Sequence, residues 1–358
     1  MPKVESRDAQ LLVSPAACRA EFRYLRRVYR QIDLSGPAVQ TDGWTANIAE
    51  AEWPFLGLCY FGYACANLAA YDREFREEAL AEMRWLLEAL QKPRLTGFIA
   101  PHTGEPFGSG EIQASAFVHG HFLNLAARYR EVSDDTRYDA LMQRVAKGLG
   151  EGYARADQGI LRSYKDMWWL SDNFVALSAL ARYDRLFKTC WSEEGIRCVK
   201  SVRAHYLDGG TGMYYTYITP ENLQRRQGPR GISMMYGLHF LKDFAPEFAE
   251  QQYALARKQL VQSLLGYAAV REHPPGAEGR EDIDSGPIVL GFGASASGFA
   301  IGAAAVMEDR RTAMELLQSL SQVGMPVMEG EELRYGAMPP VGQAVILFGK
   351  TGLLAGRP

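Results

Sequence analysis

The chain has 358 residues, 47% of them hydrophobic and 23% charged, with a net charge of −3, the composition of an ordinary globular protein. The near-neutral balance and the lack of a basic cluster remove the electrostatic reasons to expect a nucleic acid or an anionic membrane as partner. The length would allow two or three domains, but no Pro/Ser-rich linker or compositional break divides it, so one domain over residues 1–358 is expected.

The first eight residues, from Met1 to Asp8, contain no apolar run, so no export signal is expected. The five cysteines (Cys18, Cys59, Cys65, Cys190 and Cys198) are odd in number and lack a metal-ligand spacing such as C-x-x-C. Reduced thiols and a cytoplasmic location are therefore expected, with a periplasmic location as the alternative for a chain from which a leader has been removed. From residue 15 onward the sequence alternates between two kinds of helical pattern at intervals of roughly 55 to 60 residues, and such a period calls for a repeat architecture. Apolar, small-residue-rich members cover 55–71, 112–130, 172–187, 232–244, 287–307 and 341–354. Amphipathic members cover 73–90, 137–153, 193–206, 247–268 and 310–322, and 15–32 is left over to pair with the last apolar helix.

A helix that is apolar nearly all round is buried on every side, whereas one charged on half its surface lies against water. In the second class Arg73, Glu74, Arg76, Glu77, Glu78, Glu82 and Arg84 interleave with Phe75, Leu80, Met83, Leu86 and Leu87. The expected fold class is therefore all-α: an (α/α)6 barrel, a toroid of six inner and six outer helices completed by the chain's start. The apolar run at 287–306 has the length of a membrane span. It lies inside the repeat and has no Lys/Arg flanks, so no span is expected.

In such a ring the loops leading from an outer helix to the next inner one share a single face, where a rigid scaffold places chemistry. Short hairpins are expected there, from Gly97-Phe98-Ile99-Ala100, Gly159-Ile160-Leu161-Arg162-Ser163-Tyr164, Gly212-Met213-Tyr214-Tyr215-Thr216-Tyr217 and Leu333-Arg334-Tyr335-Gly336. Several candidate residues fall on these loops or on the helix starts that follow. Glu52 precedes Pro54 and either points into the mouth or complements a helix dipole. His121 and His119 are two apart, which on a helix aims them in different directions and makes them a poor metal pair. Asp172 follows Trp168-Trp169, and is either an acid/base group desolvated by those rings or a helix cap. Asp282 and Asp284 would share a side of an extended segment and raise each other's pKa. Trp168, Trp169, Tyr164, Tyr215, Tyr217, Tyr236 and Tyr335 are candidate substrate-binding aromatics. The glycines at 291, 293 and 298 lack the preceding strand and Lys-Ser/Thr ending of a phosphate loop, and helix packing explains them better. No metal and no cofactor is expected.

The stretches Gly120-His121-Phe122-Leu123-Asn124-Leu125, Gly159-Ile160-Leu161 through Ser171-Asp172-Asn173-Phe174-Val175-Ala176 to Tyr183-Asp184-Arg185-Leu186, and Gly212-Met213-Tyr214-Tyr215-Thr216-Tyr217 resemble the bacterial linalool dehydratase/isomerase family. The segment Leu333-Arg334-Tyr335 is similar too. The resemblance, over about two thirds of the chain, implies the same barrel, a working histidine at His121 and an N-terminal aspartate at Asp33. It departs at the catalytic core: that family's two cysteines fall near Arg162 or Ser163 and at Asp172, where this chain has no thiol.

A carboxylate in place of a thiol changes the available chemistry, since two carboxyls flanking a bond are what glycoside hydrolysis requires. The leading expectation is a cofactor-free carbohydrate-active hydrolase or lyase. Asp172 with Asp282 or Asp284 would act as acid and base on a small-molecule or oligosaccharide substrate. The resemblance implies a hydro-lyase or isomerase of a terpenoid or other alkenol, with Asp172 and His121 in place of the thiols. A non-catalytic ligand-binding barrel is the third expectation, and homo-oligomerisation is left open.

Overall fold

The computed structural model describes residues 7–39, 48–164, 166–277 and 279–356. Most of the N-terminal segment read for an export signal lies outside the described residues. The inner helices are Ile48–Tyr71, Ala116–Val132, Leu170–Phe187, Gly231–Leu241, Ala294–Val306 and Pro340–Ala355. Outside them lie Pro15–Tyr29, Arg76–Ala89, Asp139–Arg155, Glu194–His205, Pro246–Gln259 and Arg310–Val323. Each inner helix packs on the next, and the sixth packs on the first, which closes the (α/α)6 ring.

Small residues set the spacing of the inner wall. A Cβ on Gly120 of the second inner helix would lie 2.8 Å from the Cα of Ala176 on the third. One on Gly349 of the sixth would lie 2.9 Å from the backbone N of Gly302 on the fifth. The axis itself is filled with aromatic rings. Tyr60 has six of them within 6.5 Å between centroids: Tyr63, His121, Tyr236, Phe240, Phe299 and Phe348. Burial of these rings contributes to the core at about 25 cal/mol per Å² removed from water.

The seam between chain start and chain end is built from the first outer helix. Ser14 caps it, its hydroxyl accepting from the Ala17 N–H at 3.2 Å, with Pro15 in the first turn. The helix packs on the sixth inner helix and on strand Glu332–Tyr335. Fully buried Lys350 from that inner helix meets Glu21 of the outer one, and the Tyr335 hydroxyl donates to the same Glu21 oxygen at 3.0 Å.

Two stretches expected as helix are hairpins. The fifth outer helix stops at Gln259, and Val261–Leu264 pairs antiparallel with Tyr267–Val270. Likewise the fifth inner helix starts at Ala294, after Ile288–Val289 has paired with Phe292–Gly293. Both turns have the same cause. Leu265 with Gly266, and Leu290 with Gly291, all have positive φ, the left-handed pair that matches the twist of a two-residue hairpin. Gly291 is thus a turn glycine rather than a helix-packing one. The hairpin at Leu333 forms as expected, Pro326–Glu329 with Glu332–Tyr335. The segment at Gly97 instead makes two short helices, Pro93–Thr96 and Ala100–Thr103. Trp168–Trp169, Tyr217–Thr219 and Gln224–Gln227 form a three-stranded sheet on the mouth side. Among the described residues no helix is long and apolar enough to cross a membrane.

Candidate active site

The mouth brings together carboxyls from three distant segments. Asp172 is the third residue of its inner helix and only 6% exposed. The start of that helix is pinned from outside: the Leu170 N–H donates to Thr216 O at 3.2 Å, and the Asn173 side chain both donates to and accepts from the backbone of Leu161, at 2.9 and 2.8 Å. Neither Asp172 nor Ser171 caps the helix, whose N-cap position is Trp169 with no side-chain bond. Glu52 lies in the second turn of the first inner helix, which runs through Pro54 and begins at Ile48, so it is not the first-turn residue the sequence implies. Asp284 comes from the loop between the fifth outer and fifth inner helices.

Their electrostatics follow from burial and mutual repulsion. Desolvation, then the charge of Asp284, pushes Glu52 up to about 8, against a 2.8 Å hydrogen bond from the Tyr164 hydroxyl. Desolvation likewise pushes Asp172 up to about 7, opposed by hydrogen bonds from Ser163 and Tyr236 and reinforced by Asp284. Burial and the neighbouring Asp282 raise Asp284, while the more distant Arg230 charge pulls it back. Asp284 thus acts on both Glu52 and Asp172, the two carboxyls whose protons are held near neutrality.

Asp282 does not join them. Burial would raise its pKa, but the Arg230 guanidinium grips it in a fork at 2.7 and 2.8 Å, the Ser285 and Asp284 N–H groups add to this, and the carboxyl is held below its ordinary value. The expectation that Asp282 and Asp284 raise each other is therefore corrected for Asp282: an arginine placed between the two possible outcomes decides it. Arg230 is itself buried, and its Nε donates to fully buried Glu272 at 2.8 Å. Asp282 is thus the fastening of the loop that presents Asp284.

The expected aromatics divide. Tyr164 and Tyr236 hydrogen-bond the cluster. Trp169 stacks on Tyr217 at 5.7 Å beside the helix start, and Trp168 lies buried under the Arg162 guanidinium. Tyr335 is not at the mouth but in the closing seam with Glu21 and Lys350. Tyr215 is held between Asp208 and Arg225, with no hydrogen bond to the carboxyl cluster. Asp33 is exposed and binds its own turn at Ser35, far from the role implied by the resemblance.

His121 is fully buried, and burial pushes its pKa down to about 3. Its Nδ1 lies 2.8 Å from the Tyr63 hydroxyl and its Nε2 2.8 Å from that of Tyr236, which in turn donates to Asp172 Oδ1 at 3.1 Å. His119 is a satisfied core residue between Ser115 and the Gly108 N–H. Tyr63 and Arg230 were not singled out from the sequence, and Ser163 was named only as a position matching a family cysteine, not as a partner of Asp172. Tyr63 sits in an apolar helix where a buried phenol leaves no mark, whereas Arg230, next to Gly231 at an inner helix start, could have been noticed as a charge entering the core.

Among the described residues no group of three His, Cys, Asp or Glu side chains is arranged to hold a metal ion. Space beside Tyr236 on the axis amounts to about 10 Å³. A cavity of about 590 Å³ lies along the loop that carries Asp284, between residues 271–280 and 288–291.

No protein-family profile and no curated protein sequence matches the chain. Several solved structures do. An unsaturated glucuronyl hydrolase specific for heparin is 14% identical over 94% of this chain and 95% of that one, with a TM-score of 0.59. An α-mannanase of glycoside hydrolase family 76 from Bacteroides thetaiotaomicron is 8% identical over 97% and 98%, at 0.60. A family 105 glycoside hydrolase from C. acetobutylicum is 12% identical over 94% and 99%, at 0.53. At such identities the likeness is one of fold, and the fold shared from end to end is the (α/α)6 barrel.

Proposed function

We propose that the chain works as one domain and is a carbohydrate-active hydrolase or lyase that uses carboxylate acid/base chemistry at the barrel mouth. The observation that carries this reading is the convergence of Glu52, Asp172 and Asp284, with Glu52 raised to about 8 and Asp172 to about 7. Near neutrality Glu52 keeps its proton and is the general acid, while Asp172 is divided between its two forms and serves as base. Asp284 adds negative charge that holds the Glu52 proton in place. Trp169, stacked on Tyr217, offers a flat apolar face for a sugar ring at the edge of the cluster. The carbohydrate assignment draws support from the printed activities of the structures of like fold, which act on glucuronyl and mannan substrates.

A binding barrel without catalysis would not need carboxyls desolvated together, and an alkenol substrate would need an apolar pit. The axis around Tyr60 is packed with aromatic rings rather than opened into such a pit, which weighs against the alkenol reading. The test is turnover on a panel of uronate-containing and mannose-containing oligosaccharides. Asp172→Asn and Glu52→Gln are each expected to lose about 10²- to 10⁴-fold in kcat with a thermal midpoint no lower than that of the unaltered protein. A folded, fully active Asp172→Asn overturns the mechanism.

A further inference from the structure

Four inner helices each send one polar side chain into a single line through the barrel: Tyr63 from the first, His121 from the second, Tyr236 from the fourth and Asp172 from the third. The separations along it are 2.8, 2.8 and 3.1 Å. Proton counting gives the line a direction. A phenol has one proton, and an ionised carboxylate only accepts. Tyr236 gives its proton to Asp172 Oδ1, so it has only lone pairs to offer His121, and Nε2 must be the protonated ring nitrogen. The ring is neutral and has no second proton. Its bare Nδ1 is then an acceptor 2.8 Å from the Tyr63 hydroxyl, whose one proton it shares with the His121 carbonyl oxygen at 3.0 Å. The rings of Tyr63 and Tyr236 run nearly parallel to that of His121, at 17° and 9°, with centroids 6.0 Å away in each case. Phe117, Phe55 and Phe240 pack around the imidazole with centroids 5.1 to 6.3 Å away and hold it there.

We propose that Tyr63, His121 and Tyr236 form a one-way hydrogen-bond relay that fixes Asp172 Oδ1 as an acceptor and leaves Oδ2 to carry the proton exchanged with a substrate. The proposal rests on Asp172 being an acid/base group. It makes His121 and Tyr236 positioning residues, in place of the acid/base and substrate-contact roles expected from the sequence. Asp172 is faced as well by Glu52 from the first inner helix, by Asp284 and Ser163 from the mouth loops, and by the phenols of Tyr60, Tyr153 and Tyr164. Burial contributes most to the raised proton affinity of Asp172; the Ser163 and Tyr236 hydrogen bonds favour its ionisation, and the Asp284 charge opposes it.

NMR of the intact protein tests this without a substrate, following histidine ¹⁵N and aspartate carboxyl ¹³C signals from pH 5 to 9. His121 is expected as the neutral Nε2–H tautomer above about pH 7, where Asp172 is ionised. In Tyr236→Phe the Asp172 midpoint is expected to rise by about one pH unit, roughly tenfold in proton affinity, with a smaller rise in Tyr63→Phe. A protonated Nδ1 above about pH 7, or an Asp172 midpoint unmoved in Tyr236→Phe, overturns the relay. The tautomer is read on the unaltered protein, so it decides the matter even where a variant does not fold. A wrong tautomer with turnover still dependent on Asp172 overturns the relay alone. Turnover surviving in Asp172→Asn overturns the acid/base reading and the relay with it.

Discussion

At the scale of single residues, the raised carboxyls are a cost to the folded state that pH makes visible. Glu52 has an ordinary value of 4.5 and is raised to about 8. Between those values the unfolded chain has released the proton that the folded one retains, so stability falls as pH rises through the window. Below 4.5 both states hold the proton, and above about 8 the loss is complete. Glu52→Gln keeps a neutral side chain at every pH. It should therefore gain thermal midpoint over the unaltered protein at pH 8, with the difference closing by pH 4.5. Asp172→Asn should behave alike between 3.8 and about 7. Differential scanning calorimetry at three pH values checks both, and a midpoint gap that does not depend on pH would remove burial as the origin of the shifts.

At the scale of elements, the loop carrying Asp284 is fastened by Asp282 to Arg230, at the N-cap position of the fourth inner helix. Asp282→Asn weakens the fastening but leaves the buried Arg230 and Glu272 pair intact. Turnover is expected to fall severalfold with less than about 1 kcal/mol of stability lost, since Asp282 is 41% exposed. A chemical denaturation curve beside an activity assay reads the two together. The inner wall is less forgiving. Gly120→Ala sets a methyl against the Ala176 backbone, which cannot swing aside, and about 1–3 kcal/mol of destabilisation is expected by urea unfolding.

At the scale of the whole molecule, the ring is closed by side chains rather than by continuity of chain. Lys350, Glu21 and Tyr335 join the sixth inner helix, the first outer helix and the last hairpin in a site with no water-facing surface to speak of. Lys350→Met leaves the Glu21 carboxyl buried without its cation, at an expected cost of about 3–5 kcal/mol. Adding Glu21→Leu removes the stranded group and should restore much of the loss. If the double variant is no more stable than the single one in denaturant unfolding, the cation is not what holds Glu21 in the seam.

The sequence by itself determined the ring. Apolar faces at 55–71 or 294–306 cannot meet water, and a helix with Arg73 to Arg84 on one side cannot be buried, so alternation of the two fixes inner and outer layers through local composition alone. It also marked Glu52, Asp172 and Asp284, because each stands at or near the start of an inner helix or in a mouth loop, and His121 through the Gly-His resemblance. Hairpins at 261–270 and 288–293 were hidden, since an apolar run carries no period that distinguishes a short strand from a helix, and the turn residues Leu265 and Leu290 are not turn formers by type. Only the tertiary structure decided between Asp282 and Asp284, and between Tyr236 and Tyr335. Those choices depend on which charge or phenol a side chain meets across the ring: Arg230 lies 52 positions from Asp282 and Glu21 lies 314 from Tyr335. A pKa is set by distance in space and by exclusion of water, and neither is written in the order of the residues.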